Sequence, residues 1–460
     1  MFIVKQGKVV GATRIMERRN FRLLRRAGLF LYLLAVLVRL IYSLYYPPRA
    51  AFSTPDCERY YASGLFFAQT GQICYPVPVR SAWIMPGLTV LVGTLARLFP
   101  EDAALLWAIR ICFILIGSLA PVFIYRSTGL FVPKGFAVFS AACFFLPWYI
   151  QIDCGIQTEG PAFGFFAAAL YFGLLSSLEP GRLRHTLLFS LFLLLGICFR
   201  ASTLFLFPCV LVWQLLCRRA PLRVVLRGAG VVCAVLALGL LPWAVRNARV
   251  FHDFIPLTYA SGDPVYEGSF IGDGAPDEEE LLALGDGFDP YAKILEEHPS
   301  IFDEQGVPLD DSAEQYVQHL YLAVTGRYRL RQWFRLRPRS FLKTYLYQKP
   351  RSLLNDVWYW DQVMGISLQT AVRLRQGNLL LCLLAAVLSL VRKKLRRPVW
   401  FLGLSYVVNL YIVAASLPLD RYGQAVMPYR LVLGALGLWL LVDFLQSLIA
   451  RLFPGTAEKG

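Results

Sequence analysis

The sequence predicts an all-α polytopic membrane protein, and three observations predict it. Of the 460 residues, 57% are apolar and only 17% are charged, whereas an ordinary soluble domain is roughly 45–50% apolar and about 25% charged. The apolar residues collect in long runs, with a mean hydropathy of +0.52 over the chain. Lysine and arginine collect in alternate connections between those runs, as they do in cytoplasmic loops. Composition excludes a soluble globular enzyme. It also excludes disorder and collagen, because aromatics reach 14% and no Gly-X-Y period runs through the chain.

The runs place about ten transmembrane helices, at 27–46, 104–125, 136–152, 160–178, 185–199, 201–217, 228–246, 377–391, 398–417 and 424–448. The first is about 20 residues long, enough to cross a bilayer and longer than the apolar core of a signal peptide. It therefore reads as an uncleaved span. Residues 185–217 are too long for one crossing and are interrupted by Arg200, which predicts a hairpin turning there. Residues 82–99 are apolar, yet a crossing at that point would put every later basic loop on the wrong side. An interfacial position restores the alternation, and Met85-Pro86-Gly87 suits a surface entry.

The cytoplasmic segments are then 1–26, 126–135, 179–186, 217–227, 391–397 and the C-terminal tail. They hold 23 of the 46 Lys/Arg and three acids, Glu17, Glu179 and Glu458. Both termini are expected in the cytoplasm. The net charge of +16 is thus a topology signal. No base-reading motif accompanies it, so membrane lipids and not nucleic acid are the expected partners. The chain has no Asn-x-Ser/Thr sequon, which favours a bacterial cell membrane.

Three units follow. Residues 1–247 form an N-terminal transmembrane module whose first external loop, 47–103, carries two helices lying on the membrane. Residues 248–376 form a mainly helical external domain, and 377–460 the C-terminal transmembrane helices. The external domain divides by charge: 250–316 carries 17 acids and one lysine, Lys293, while 327–375 carries 11 Lys/Arg and two acids, Asp356 and Asp361. The run 327–360 mixes Arg, Trp, Tyr and Leu, as a helix bedded in anionic headgroups does. Pairing of the acidic with the basic half is the equal alternative. Seven of the ten cysteines lie in apolar runs and read as small buried hydrophobes. Cys57 and Cys74 are external, which leaves a disulfide between them open.

Arginine is disfavoured at the outer ends of membrane helices. Yet Arg110, Arg200, Arg246 and Arg421 all map there, with Asp56, Glu58, Asp153, Glu159 and Asp420 on the same side. The planar guanidinium fork suits a phosphate, and a neighbouring carboxylate suits removal of a proton from an attacking group. The one-sided gathering predicts a transferase acting on a lipid phosphate at the outer surface. Each residue also has a plainer reading. Asp56 is a good helix N-cap, and Glu159 suits a helix N-terminus. Arg246 can snorkel beside Trp243, and Asp420-Arg421-Tyr422 can be a salt-bridged turn. The four histidines lack ligand spacing. A divalent cation would find Asp56 and Glu159 available, but the pattern requires no cofactor. The alternative function is a flippase or transporter of a lipid-linked sugar, which would place its polar groups at the bilayer midplane between inverted repeats. A non-enzymatic membrane scaffold is the third reading.

Several stretches occur in a telling order: Pro55-Asp56-Cys57-Glu58-Arg59-Tyr60-Tyr61, Met85-Pro86-Gly87, Ala108-Ile109-Arg110, Gln157-Thr158-Glu159, Gly196 to Arg200, Pro242-Trp243 to Arg246-Asn247, and Arg421-Tyr422 with Met427-Pro428. The ordered set resembles the C-type glycosyltransferase superfamily (GT-C), family 39 in particular, which holds the protein O-mannosyltransferases and the bacterial aminoarabinose transferases. The resemblance covers most of the chain outside about 260–320. It implies an inverting glycosyltransferase that moves a hexosyl or pentosyl group from a polyprenyl-phosphate donor to a lipid, glycan or protein acceptor on the outer face. It implies Asp56 as the catalytic base and Glu159 as a second acidic site residue. Arg110, Arg200, Arg246 and Arg421, with Glu58 and Tyr422 beside them, would bind the donor phosphate or substrate. Two departures stand out. The family often has Arg-Pro where this chain has Arg200-Ala201. The adjacent Asp-Glu of the O-mannosyltransferases is here Asp56-Cys57-Glu58, which argues against that activity.

Overall fold

The computed structural model describes residues 7–46, 54–217, 220–285, 287–355, 357–359 and 365–452, and for 7–25 and Cys217 the backbone alone. Outside the described residues lie 47–53 of the first external loop, Asp356, Trp360, Asp361 and Glu458. The side chain of Glu17 lies outside them too. Among the described residues there is no strand, and extended pairing is confined to two isolated bridges, Cys74 with Arg80 and Phe302 with Pro308.

The chain begins with α1 (Gly7–Tyr45), and the first external loop supplies α2 (Pro55–Thr70) and α3 (Gly87–Leu98). Next come α4 (Asp102–Gly117) and α5 (Leu119–Gly129), nearly one rod, then α6 (Lys134–Ala142) and the short α7 (Pro147–Gln151). The bundle continues with α8 (Glu159–Leu178), α9 (Leu183–Phe199), α10 (Leu206–Val212) and α11 (Leu222–Phe251). The external domain holds α12 (Asp263–Gly268), α13 (Glu278–Leu282), α14 (Pro290–Glu297), α15 (Asp311–Leu336), α16 (Pro338–Lys343) and α17 (Lys349–Asn355). The chain returns as α18 (Leu368–Val391) and α19 (Lys393–Ala415), turns through α20 (Asp420–Gln424), and ends in α21 (Met427–Leu452).

Seven of the described helical segments are long and apolar enough to cross a membrane: the outer half of α1, the α4–α5 rod, α8, α11, α18, α19 and α21. The other three expected spans are shorter apolar helices. In 136–152 the cause is local. Leu146 is extended (φ −68, ψ 142) because the following Pro147 excludes the helical basin, and the helix restarts at the proline. The 185–217 hairpin turns at Arg200, which is extended (φ −148, ψ 109). Helix α3 has 12 residues, a length of about 18 Å, well short of a crossing. It packs on α2 through Gly64 and Gly93, where a Cβ on Gly64 would lie 2.2 Å from Val92.

Helix α8 is the axis of the bundle. It is buried along most of its length and packs on α4, α5, α9, α10 and α21. Its small residues permit this, and Gly164 sits against the Ile116 carbonyl of α4. At the bundle's outer end α11 continues to Phe251, and His252 in the left-handed region (φ 52) closes it. In the external domain the acidic and basic halves pair. Arg337 meets Glu280 at 2.8 Å and Lys343 meets Asp273 at 3.1 Å, while the buried Arg329 donates to the Pro276 carbonyl at 2.7 Å.

A Cβ on Gly164 would lie 2.2 Å from the Ile116 carbonyl oxygen, so even Gly164→Ala must part α8 from α4. The expected loss is about 1–3 kcal/mol, read as a lowered thermal midpoint in detergent.

Candidate active site

One end of the helix bundle and the segment 248–376 enclose an open cavity of about 850 Å³. Its walls come from five places: the first turns of α2, the segment around Trp83, the start of α8, the α9–α10 turn, and α12 with the α19–α20 connection.

Each charged group in it has a local reason for its position. Pro55 starts α2 and Thr54 occupies the cap position, so Asp56 falls inside the first turn with its carboxylate turned to the cavity. The N-cap reading of Asp56 is thereby replaced. Glu159 is the first residue of α8 after Thr158, where a carboxylate meets the positive end of the helix dipole. Arg200 lies at the extended corner between α9 and α10, and Arg421 opens from the single turn of α20.

These side chains form a connected chain of charge. Arg421 Nη1 lies 2.7 Å from Asp56 Oδ2, and its Nε lies 3.9 Å from Glu159 Oε1. Arg200 Nη1 donates to the same Glu159 oxygen at 2.7 Å, and the Thr158 hydroxyl donates to the other at 3.1 Å. Both guanidinium groups flank the Tyr422 ring, at 4.6 and 5.1 Å from its centroid. Glu159 is buried, and the other charged members are half-buried. Burial opposes the charge on Arg421, but Glu159, Tyr422 and Asp56 outweigh it and raise its pKa. The Arg421 Nε is nonetheless buried with no hydrogen-bond acceptor.

A second wall is aromatic. The Tyr60 and Tyr75 rings lie 5.2 Å apart, Trp83 meets Tyr75 edge-on at 5.3 Å, and His319 packs on Trp83 at 4.4 Å. Burial, with nearby carboxylates, raises the Tyr60 and Tyr75 phenols, so both stay protonated donors at neutral pH. His319 Nδ1 pairs with Asp263 at 2.7 Å. Glu267 completes the rim, its carboxyl raised by burial and by Asp263 and Asp56 against the pull of Arg421.

Of the eight residues singled out from sequence, the cavity brings together Asp56, Glu159, Arg200, Arg421 and Tyr422. Arg110, Arg246 and Glu58, for which a binding role is expected, do not line it. Arg110 is buried and donates to the Tyr46 and Cys154 carbonyls, both at 2.9 Å. Arg246 donates to the Ile73 and Ser81 carbonyls, both at 2.8 Å. Their donors are engaged by the main chain of the outer loops, which needs partners once buried. Glu58 faces away, exposed on α2. Cys57 and Cys74 are both buried, with no disulfide between them.

Sequence reasoning missed Tyr75, Trp83, Asp263 and Glu267. It also missed Arg39, whose Nε pairs with Asp153 at 2.6 Å. A lone arginine near the outer end of the first span was its signal. Gly117 makes room for that pair, since a Cβ there would lie 2.3 Å from the Asp153 carboxylate. Among the described residues no group of three or more His, Cys, Asp or Glu converges as a metal cluster would. The place between Asp56 and Glu159 that a cation would take is occupied by the Arg421 guanidinium.

The fold has counterparts among solved structures. The archaeal oligosaccharyltransferase AglB from Archaeoglobus fulgidus, in complex with an inhibitory peptide and a dolichol-phosphate, is similar over 95% of this chain with 17% identity and a TM-score of 0.54. Its apo form is similar over 94% with 16% identity and a TM-score of 0.52. This chain spans about half the length of that enzyme, 52% in both comparisons. ArnT from Cupriavidus metallidurans, bound to undecaprenyl phosphate, is more distant, with 15% identity and a TM-score of 0.36 over 96% of this chain and 80% of its own. No family model and no curated protein sequence matches. The chain is thus an all-α multi-pass membrane protein whose fold is similar to that of the archaeal oligosaccharyltransferase.

Arg110→Gln leaves two buried carbonyls without their donors. It is expected to lower stability by about 1–3 kcal/mol, seen in the thermal midpoint, whereas Glu58→Gln, on an exposed position, leaves the midpoint within error.

Proposed function

We propose that this chain is an inverting glycosyltransferase that moves a sugar from a polyprenyl-phosphate donor to an acceptor hydroxyl at the outer face of the membrane. One observation carries the reading: two carboxylates, Asp56 and Glu159, meet two arginines, Arg200 and Arg421, in a cavity at one end of an apolar bundle. The dolichol-phosphate in the AglB complex supports a polyprenyl-phosphate donor. A volume of about 850 Å³ is within the range of small-ligand sites, roughly 300–1,000 Å³.

The donor phosphate takes the guanidinium groups of Arg421 and Arg200, beginning with the unpartnered Arg421 Nε. Its charge draws Arg421 off Asp56 and leaves that carboxylate to act as base. Asp56 accepts the proton of the acceptor hydroxyl. The acceptor oxygen bonds to the anomeric carbon from the face opposite the phosphate. The bond from that carbon to the phosphate oxygen breaks, and the polyprenyl phosphate leaves with the electron pair. Arginine stabilises its charge directly, so no second carboxyl has to protonate the leaving group, as a glycosidase requires. Glu159 is a positioning residue that holds both arginines. Arg110 and Arg246 hold the loops. The aromatic wall of Tyr60, Tyr75 and Trp83 is the surface for a sugar ring.

Purified protein incubated with polyprenyl-phosphate hexoses and pentoses is expected to consume one of them. Asp56→Asn is expected to lower kcat about 10²–10⁴-fold, the usual worth of a positioned base, in a variant that still folds with its thermal midpoint lowered by loss of the ion pair to Arg421. Turnover within threefold of wild type in that variant would remove Asp56 from the role. Because arginine supplies the positive charge, exhaustive dialysis against EDTA is expected to leave turnover unchanged, and recovery only on adding Mg²⁺ or Mn²⁺ would contradict it.

A further inference from the structure

A second cavity, of about 470 Å³, lies at the other end of the bundle. Its position follows from α8, which begins at Glu159 in the first cavity and ends at Leu178 in the wall of the second. Twenty residues of helix separate the two by about 30 Å, the thickness of the hydrocarbon core. The second cavity therefore opens at the opposite headgroup layer.

Its chemistry is one-sided. Lys393, Lys394, Arg396 and Arg397 line it, and no carboxylate does. Among the described residues none of the four has an ion pair. The nearby acids are already engaged: Glu179 by Arg182 at 2.8 Å and His185 at 3.4 Å, and Asp443 by Arg392 at 2.8 Å. The inner wall includes Trp213, which is 1% exposed and stacks on Phe401 at 4.6 Å. Its indole Nε1 is buried with no acceptor. A buried donor without a partner is rare because it is costly, and here it stands beside four unpaired cations. The cavity offers positive charge, and none of its lining side chains is a carboxylate.

We infer that this cavity binds the phosphate headgroup of an anionic membrane lipid, with the 393–397 cations as its donors and the Trp213 ring packed in its wall. The phosphate chemistry is shared by soluble anions, but the flanks favour a lipid. Val212, Leu215 and Leu216 next to Trp213, and Trp400 and Leu404 further along α19, are exposed apolar side chains on which acyl chains can lie. Basic pockets between membrane helices on the positive side suit such headgroups. The site is independent of the proposed transfer reaction, since no residue of the first cavity takes part.

Delipidated full-length protein in a neutral detergent, titrated with dioleoylphosphatidylglycerol and with dioleoylphosphatidylcholine and read by native mass spectrometry, tests this. Repetition in Arg421→Gln separates out any lipid held in the first cavity. Phosphatidylglycerol is expected to bind at least tenfold more tightly than phosphatidylcholine. Arg396→Gln and Lys394→Gln are each expected to weaken it about fivefold. Arg451→Gln, an exposed cation at the same end of the bundle, is expected to change nothing. Lys393→Gln and Arg397→Gln, read against Arg451→Gln, decide the matter if the Arg396 and Lys394 variants fail to fold. Equal binding of the two lipids, or an effect of Arg451→Gln as large as that of Arg396→Gln, would overturn the site. Displacement of the lipid by millimolar inorganic phosphate would overturn the lipid as occupant.

Discussion

Arg421 is the constraint on which the outer half of the molecule depends. Its guanidinium spans Asp56 of the first external loop and Glu159 at the head of the central helix, while it is itself carried by the last external turn. Three segments from the beginning, middle and end of the chain thus share one charge. In a partly buried setting such a cluster is stable only as a set, because removing one member leaves its partner charged and unpaired. Arg200 completes the neutralisation of Glu159. The cavity exists because these four groups hold its walls together without filling the space between them.

The arginines of the outer face divide by what their donors already touch. Arg110 and Arg246 point into the protein and hold main-chain carbonyls of loops that have left water. They are the scaffold of an irregular region that has no sheet or helix of its own to satisfy its backbone. Arg200 and Arg421 point into open space, are held by carboxylates, and keep donor capacity toward the cavity. An anionic ligand competes only with the second kind. The same distinction, a donor with or without an internal acceptor, separates Arg246 from the Trp213 indole at the other end of the bundle.

The membrane architecture was legible because length and charge are one-dimensional properties. The hairpin at Arg200, the short α3 and the helical character of 248–376 all follow from the order of apolar and basic residues. The break before Pro147 was also written locally, though it was read as part of a span. The site was half legible. Asp56, Glu159, Arg200, Arg421 and Tyr422 could be gathered because topology places them on one face. Topology says nothing of where a side chain points. Arg246 contacts Ile73, 173 residues away, and no pattern along the chain announces that the carbonyl there lacks a partner. Asp263 and Glu267 were hidden by abundance, two among the 17 acids of 250–316. The pairing of Arg39 with Asp153, 114 residues apart, depends on the missing side chain of Gly117, an absence that reads as nothing in particular.

Helix α8 has a cavity at each of its ends and is enclosed along most of its length. The separation of the two cavities is therefore fixed by a residue count, whereas the separation of the two headgroup layers belongs to the lipid. Where the two lengths agree, both cavities meet their own layer at once. In a thinner or thicker bilayer they cannot, and the membrane must deform or the bundle must tilt at a modest energetic cost. If both cavities hold headgroups as proposed, the length of α8 sets the bilayer thickness at which its two ends are at the surface together.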